Sequence, residues 1–179
     1  MKARFWIILV LLAGMMMAGA DKPGSGEGKE AGDKEAKWVS LAPAKEGMGF
    51  WKALNFGGEG DTTWKGGTLA IAEGAELTGV VFSGADLPEA PYEIEVEARR
   101  TSGVDFFCGL TFPVRGKETC VTLVVGGWGG GVGGISSIDG MDASENETAS
   151  YQGFKDEQWY KIRLEVRKDS LKAWIDGRE

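Results

Sequence analysis

Glu93-Ile94-Glu95-Val96-Glu97, followed by Arg99, sets three carboxylates on alternate residues. In an extended strand such residues share one face, about 6.6 Å apart for neighbours and about 13 Å for the outer pair. A carboxylate pair of this kind can serve as general acid and base, or as acid and nucleophile when the two groups lie about 5 to 5.5 Å apart. Glu93 and Glu97 would have to lean together to do so. The plain alternative is a solvated strand face whose glutamates are balanced by Arg99 and by cross-strand Lys or Arg. A second concentration of oxygen donors runs from Ser136 to Thr148 and holds Asp139, Asp142 and Glu145. Calcium takes six to eight such oxygens, so Asp139, Asp142 and Glu145 are a candidate metal set, although their spacing is not that of an EF-hand. Asn146-Glu147-Thr148 is formally a glycosylation sequon.

What is missing narrows the chemistry further. The 179 residues include no histidine, which removes the usual neutral-pH base, the Ser-His-Asp and Cys-His nucleophile pairs, and histidine metal sites. The glycine-rich stretch GGWGGGVGGISSIDG satisfies G-x-G-x-x-G at Gly129 to Gly134, but its flanks read as strands and no Walker lysine follows. Phosphate binding is therefore rejected. The glycines permit turns of positive φ, and a strand bare of side chains leaves a shallow trough with Trp128 as a candidate wall. Trp159, Trp174 and Phe107 are placed by the alternation on the polar faces of their strands, where flat rings suit the apolar face of a sugar. Trp38, Trp51 and Trp64 read as closures of the core.

These residues need a frame. Residues 1–20, MKARFWIILVLLAGMMMAGA, have the basic start, apolar run and small-residue end of a signal peptide, so export to a secreted or periplasmic location is expected. Residues 21–36 have the composition of a flexible linker. No later apolar run is long enough for a membrane span. Loss of Lys2 and Arg4 takes the basic count from 20 to 18 against 27 acidic residues, and the net charge from -7 to -9, which argues against nucleic acid as a partner. Cys108 and Cys120 are the only cysteines, and their bridging is left open, because it depends on a hairpin register that sequence does not give.

From residue 37 onward apolar residues recur with period two. Tyr92 to Arg100 and Trp159 to Arg167 alternate most clearly. Further strands are expected at 38–42, 67–72, 76–83, 104–113, 118–126, 132–138 and 170–175, between Gly, Pro, Asn and Asp clusters. The expected fold is all-β, a two-sheet antiparallel sandwich spanning 37–179. Asp176-Gly177 is a hairpin-turn signal with only Arg178 and Glu179 after it, so we expect a fragment whose sandwich lacks its last strand.

The order APYEIEVEARR, VDFFCGLTFPV, CVTLVVGGWGGGVGGISSIDG and EQWYKIRLEVRKDSLKAWIDGRE resembles the concanavalin A-like jelly-roll domains of exported bacterial proteins. More narrowly it is similar to the 3-keto-disaccharide hydrolase-type domain of unknown function, abundant in planctomycete-like proteomes, over roughly residues 38–179. The Glu93 to Glu97 strand also resembles the catalytic strand of jelly-roll endoglucanases. The resemblance implies carbohydrate as ligand. For a catalytic branch it implies cleavage of a 3-keto glycoside, in which the ketone acidifies the C2 proton for a carboxylate base and oxygen-bound metal or hydrogen-bond donors steady the enolate. On that reading Glu95, Glu97 and Asp139 carry catalysis, and Trp128, Trp174 and Arg99 bind substrate. No cofactor is required, with calcium at Asp139, Asp142 and Glu145 as an option. The competing expectation is a non-catalytic glycan-binding or adhesion module, and a third is a structural envelope sandwich.

Overall fold

The structure, a computed structural model, describes residues 6–10, 38–43, 47–84, 89–116 and 118–179. The linker expected at 21–36 lies outside these residues. Among the described residues there is no helix. Twelve strands follow in chain order: β1 (Trp6–Val10), β2 (Trp51–Ala53), β3 (Thr62–Lys65), β4 (Thr68–Ala72), β5 (Val80–Phe82), β6 (Tyr92–Arg100), β7 (Cys108–Pro113), β8 (Cys120–Gly127), β9 (Val132–Ser136), β10 (Ser150–Tyr151), β11 (Tyr160–Val166) and β12 (Leu171–Ile175). They form a six-stranded sheet ordered β12-β11-β6-β1-β4-β3, a four-stranded sheet ordered β10-β9-β8-β7, and the pair β2-β5. Every pairing is antiparallel.

Alternation explains how the sheets share one interior. Val96 and Ala98 of β6, Ile162, Leu164 and Val166 of β11, and Leu69 of β4 are buried. They belong to one apolar cluster with Phe112, Val121, Leu123, Val125 and Ile135 from the four-stranded sheet. Each such side chain contributes roughly 1.5 to 3 kcal/mol by leaving water. Because successive residues point to opposite sides, the same strands turn Glu95, Glu97, Lys161, Arg163, Thr111 and Thr122 outward.

Several expected strands are shorter than the sequence pattern, and 38–42 forms none. Thr62–Lys65 and Ser150–Tyr151 were not anticipated, and neither was a strand at Trp6–Val10 within the leader-like segment. The expected outward position of Phe107 is overturned: its ring is fully buried, between Phe154 and Tyr160 at centroid distances of 5.1 and 5.5 Å. The physical reason is a break in the strand. β7 begins at Cys108, so Phe107 and Cys108 are both buried and the parity of the residues before them is inverted. Trp64 is buried as expected and Trp51 is half-buried, its indole N–H donating to the Leu41 carbonyl at 2.9 Å, whereas Trp38 is exposed.

The glycine run makes the turn between β8 and β9. Its ladder slips between Val125 and Gly127, and Gly126, Gly129 and Gly130 all have positive φ. At Gly126 a Cβ would stand 3.0 Å from the buried Phe107 ring, and at Gly130 one would stand 2.8 Å from the Val104 carbonyl oxygen. The two Asp-Gly pairs do the same work. Asp139-Gly140 (φ 51 and 78) and Asp176-Gly177 (φ 49 and 79) both place two successive residues at positive φ, the geometry of a type I′ hairpin turn.

The cysteines do not bridge. Cys108 stands level with Val125 and Cys120 with Pro113, at opposite ends of the β7–β8 ladder, roughly 17 Å apart at strand rise. Burial pushes the Cys108 thiol from 9.0 up to about 12, and burial likewise raises the Tyr92 phenol, whose hydroxyl donates to the Pro113 carbonyl. Both groups hold their protons more tightly folded than unfolded. Their contribution is therefore full below the unfolded values and is lost as pH climbs toward the folded ones. We expect stability to fall as pH rises above about 9, and more gently in Cys108→Ala, measured by urea denaturation across pH. At pH 8 a thiol reagent should label Cys120 and leave Cys108 unreacted until the chain is unfolded.

Candidate functional site

The outer face of the six-stranded sheet carries the alternating carboxylates of β6, and their partners come from β11. In register, Glu97 faces Lys161, Glu95 faces Arg163, and Glu93 faces Glu165. Two like charges opposite one another would repel. Both are instead bound by arginine: Glu93 accepts from Arg163 Nε at 2.8 Å, and Glu165 accepts from Arg167 at 3.0 Å. The Arg167 hydrogen bond holds the Glu165 carboxyl below its ordinary value, and the Glu93 hydrogen bond raises Arg163. Lys161 Nζ reaches Glu95 at 3.2 Å and Arg99 reaches Glu157 at 2.7 Å. Above this lattice Arg99 stacks over Trp159 and Arg163 over Trp174, each 4.9 Å from the ring centroid.

This arrangement places five of the sequence candidates. Trp174 and Arg99 are both engaged in cation–π contacts, so the exposed ring face expected at Trp174 is covered by a guanidinium. Glu93 is 6% exposed beneath Arg163, which removes it from the proposed Glu93–Glu97 pair. Glu95 and Glu97 remain neighbours on this face, at strand spacing.

Asp139, Asp142 and Glu145 lie elsewhere, in the loop between β9 and β10 of the other sheet. Asp139 thus does not join Glu95 and Glu97. It is a turn residue, the turn being closed by the Met141 amide donating to the Ile138 carbonyl at 2.9 Å. The Asp142 carboxylate accepts from the Ser144 amide at 2.8 Å and from the Ser144 hydroxyl at 2.6 Å. Glu145 is exposed. Among the described residues no three acidic or cysteine side chains cluster as metal ligands, so the calcium set is not brought together.

What organises this loop is Asn146, only 7% exposed. Its amide donates to the carbonyls of Ile135 at 2.9 Å and Asp142 at 2.8 Å, and its oxygen accepts from the Thr148 amide and hydroxyl at 2.9 and 2.6 Å. With both amide hydrogens committed and the side chain buried, the sequon is closed to glycosylation in the folded chain. The loop is thereby laid against β9: a Cβ on Gly134 would stand 3.0 Å from the Ala143 carbonyl oxygen and 3.1 Å from that of Thr148.

The loop borders the outer face of the four-stranded sheet. Its open part is built from Gly109 and Thr111 on β7 and Thr122 and Val124 on β8, while on β9 Gly134 is buried under the loop and the Ser136 hydroxyl accepts from the Ala143 amide at 3.0 Å. Gly109 pairs with Val124, Thr111 with Thr122, and Thr122 with Ser136, so the small side chains form a continuous band across three strands. Thr111 and Thr122 hydroxyls are 2.9 Å apart and exposed. At one end lies Phe106, whose ring edge would meet a Cβ on Gly109 at 3.5 Å. Phe106 therefore lies on the side that Phe107 was expected to take. Trp128, 47% exposed, caps the adjoining turn at φ 49. The Thr111–Thr122 pair was visible in the alternation, but only register shows that the two meet.

Asn146→Ala should lower stability by about 2 to 3 kcal/mol, because buried carbonyls lose their donors and the loop its anchor. Glu145→Gln, on the exposed rim, should change it by less than about 0.5 kcal/mol. Urea denaturation of both variants checks this contrast.

No family model matches the chain, and neither the curated proteins nor the solved structures include a match to it.

Proposed function

We propose that this chain is an exported, concanavalin A-like jelly-roll module that binds carbohydrate on the outer face of its four-stranded sheet, without turning the ligand over. The observation that carries the reading is the Phe106 ring with its edge against side-chain-free Gly109, next to the exposed Thr111–Thr122 hydroxyl pair. An aromatic face receives the C–H face of a sugar ring, and the hydroxyls alternate as donor and acceptor for its O–H groups. Gly109 keeps the band low beside Phe106, and Trp128 stands at its margin.

Cleavage of a 3-keto glycoside by Glu95, Glu97 and Asp139 is the less favoured reading. Its base and its electrophilic partner would sit on different sheets, and Glu95 is already paired with Lys161. On the binding reading, no carboxylate on the six-stranded sheet matters to the ligand.

Calorimetric titration against a glycan panel that includes 3-keto-disaccharides, with and without calcium, tests this. Phe106→Ala should weaken binding at least about tenfold, the equivalent of roughly 1.4 kcal/mol of stacking. Thr122→Val should weaken it as well, and Glu97→Gln should leave it unchanged. No binding by any glycan, or affinity indifferent to Phe106, would overturn the proposal. Release of a free sugar from a 3-keto-disaccharide, abolished by Glu97→Gln, would replace it with the hydrolase reading.

A further inference from the structure

The six-stranded sheet has an unusual member. β1 pairs on both sides, with β4 through Trp6↔Ala72, Ile7↔Ile71, Ile8↔Ala70 and Leu9↔Leu69, and with β6 through Ile7↔Arg100, Ile8↔Arg99, Leu9↔Ala98 and Val10↔Glu97. It is antiparallel to both, so β4 and β6 run parallel to each other with one strand between them. Yet this strand is drawn from the apolar stretch that reads as an export leader, far in sequence from both neighbours. Two strand spacings, about 9.5 Å, separate β4 from β6. That distance is too great for their backbones to bond directly. With β1 gone, the facing N–H and C=O groups at 69–72 and 97–100 would be left unpaired in the middle of a sheet, and the levels of Leu69 and Ala98, both fully buried, would lose a neighbour.

We propose that the gap between β4 and β6 is a strand-acceptor site, and that Trp6–Val10 is a donor strand held there by its own pairing rather than by its covalent link to the rest of the chain. The site recognises an extended segment by main-chain hydrogen bonds on both edges, where ordinary strand addition to a sheet offers one. Its side-chain requirement follows from register. Positions 7 and 9 stand level with buried Ile71, Leu69 and Ala98, and so call for apolar residues. Positions 6 and 8 fall on the opposite face, level with Ala72 and with Ala70 and Arg99. WIILV meets this pattern throughout. A cut between leader and domain therefore does not by itself empty the site; it converts an internal strand into a bound, exchangeable peptide. This inference is independent of the glycan reading, since it concerns the other sheet.

The test uses the full chain with a site for a sequence-specific protease placed within residues 21–36, cut after folding. The cut body is incubated with a fluorescent peptide of residues 4–12 (RFWIILVLL) carrying a lysine tail for solubility, and with its Ile8→Pro counterpart, since proline cannot pair within a central strand. We expect the N-terminal fragment to co-elute with the body in gel filtration, and the labelled peptide to exchange into it at one per body. The proline peptide should stay out. Amide exchange should show 69–72 and 97–100 protected while the site is filled. If the body unfolds on losing its strand, refolding it with the native peptide, and not with the proline peptide, gives the same support. The proposal is overturned if the fragment leaves a body whose melting temperature and amide protection are unchanged. It is equally overturned if both peptides enter alike, or if neither restores an unfolded body.

Discussion

The central strands of the two main sheets, β6 and β11 in one and β7 and β8 in the other, commit one face to a single shared interior, and that commitment fixes what the opposite face can present. Val96, Ala98, Ile162 and Leu164 face inward, so Glu95, Glu97, Lys161 and Arg163 have no choice but to face out together. A register slip by one residue would carry charges into the core and apolar groups to water, which is why the pairing of β6 with β11 is unambiguous. The chemistry available on either surface is thus decided by interior packing before any ligand is considered.

The two outer faces meet this constraint differently. On the six-stranded sheet, glutamates and basic residues interlock, and the arginines that bind Glu93 and Glu157 also cover Trp174 and Trp159. Each exposed pair is worth little alone, but a lattice of them leaves few groups with unused valence. Glu93 is the exception in cost, because a carboxylate this deeply buried has its lost hydration offset only by the Arg163 hydrogen bond. On the four-stranded sheet the outward residues are Gly, Thr, Val and Ser, none charged, and the Thr111 and Thr122 hydroxyls are exposed.

Much of this was legible in the sequence. The alternation of Tyr92–Arg100 and Tyr160–Val166 gave the all-β class, the inward residues and the balanced face of glutamates, and both Asp-Gly pairs form turns. The failures have definite causes. Phe107 was assigned to the wrong side because a strand break just before Cys108 inverts parity, and a two-residue period carries no mark of where a strand begins. Composition places Asp139, Asp142 and Glu145 in one loop but does not show that Ser144 already bonds the Asp142 carboxylate. Asn146 read as a sequon because its role depends on Ile135, which only the fold brings near. Trp6–Val10 read as leader alone, since a strand of five apolar residues and a signal core have the same composition.

The contrast between the faces also decides where a ligand is better accommodated. A neutral sugar arriving at the charged sheet would have to displace guanidinium groups from the Trp159 and Trp174 rings and break ion pairs to reach a flat surface. At the other sheet no ion pair has to break: glycine at position 109 leaves bare backbone against the Phe106 ring edge, and the threonine hydroxyls bond to each other. On the proposed reading, binding there would exchange the Thr111–Thr122 hydroxyl pair for stacking and new hydrogen bonds. The loop anchored by Asn146 then acts as a fixed wall beside β9, so that the band keeps its shape and the entropy lost on binding falls mainly on the ligand.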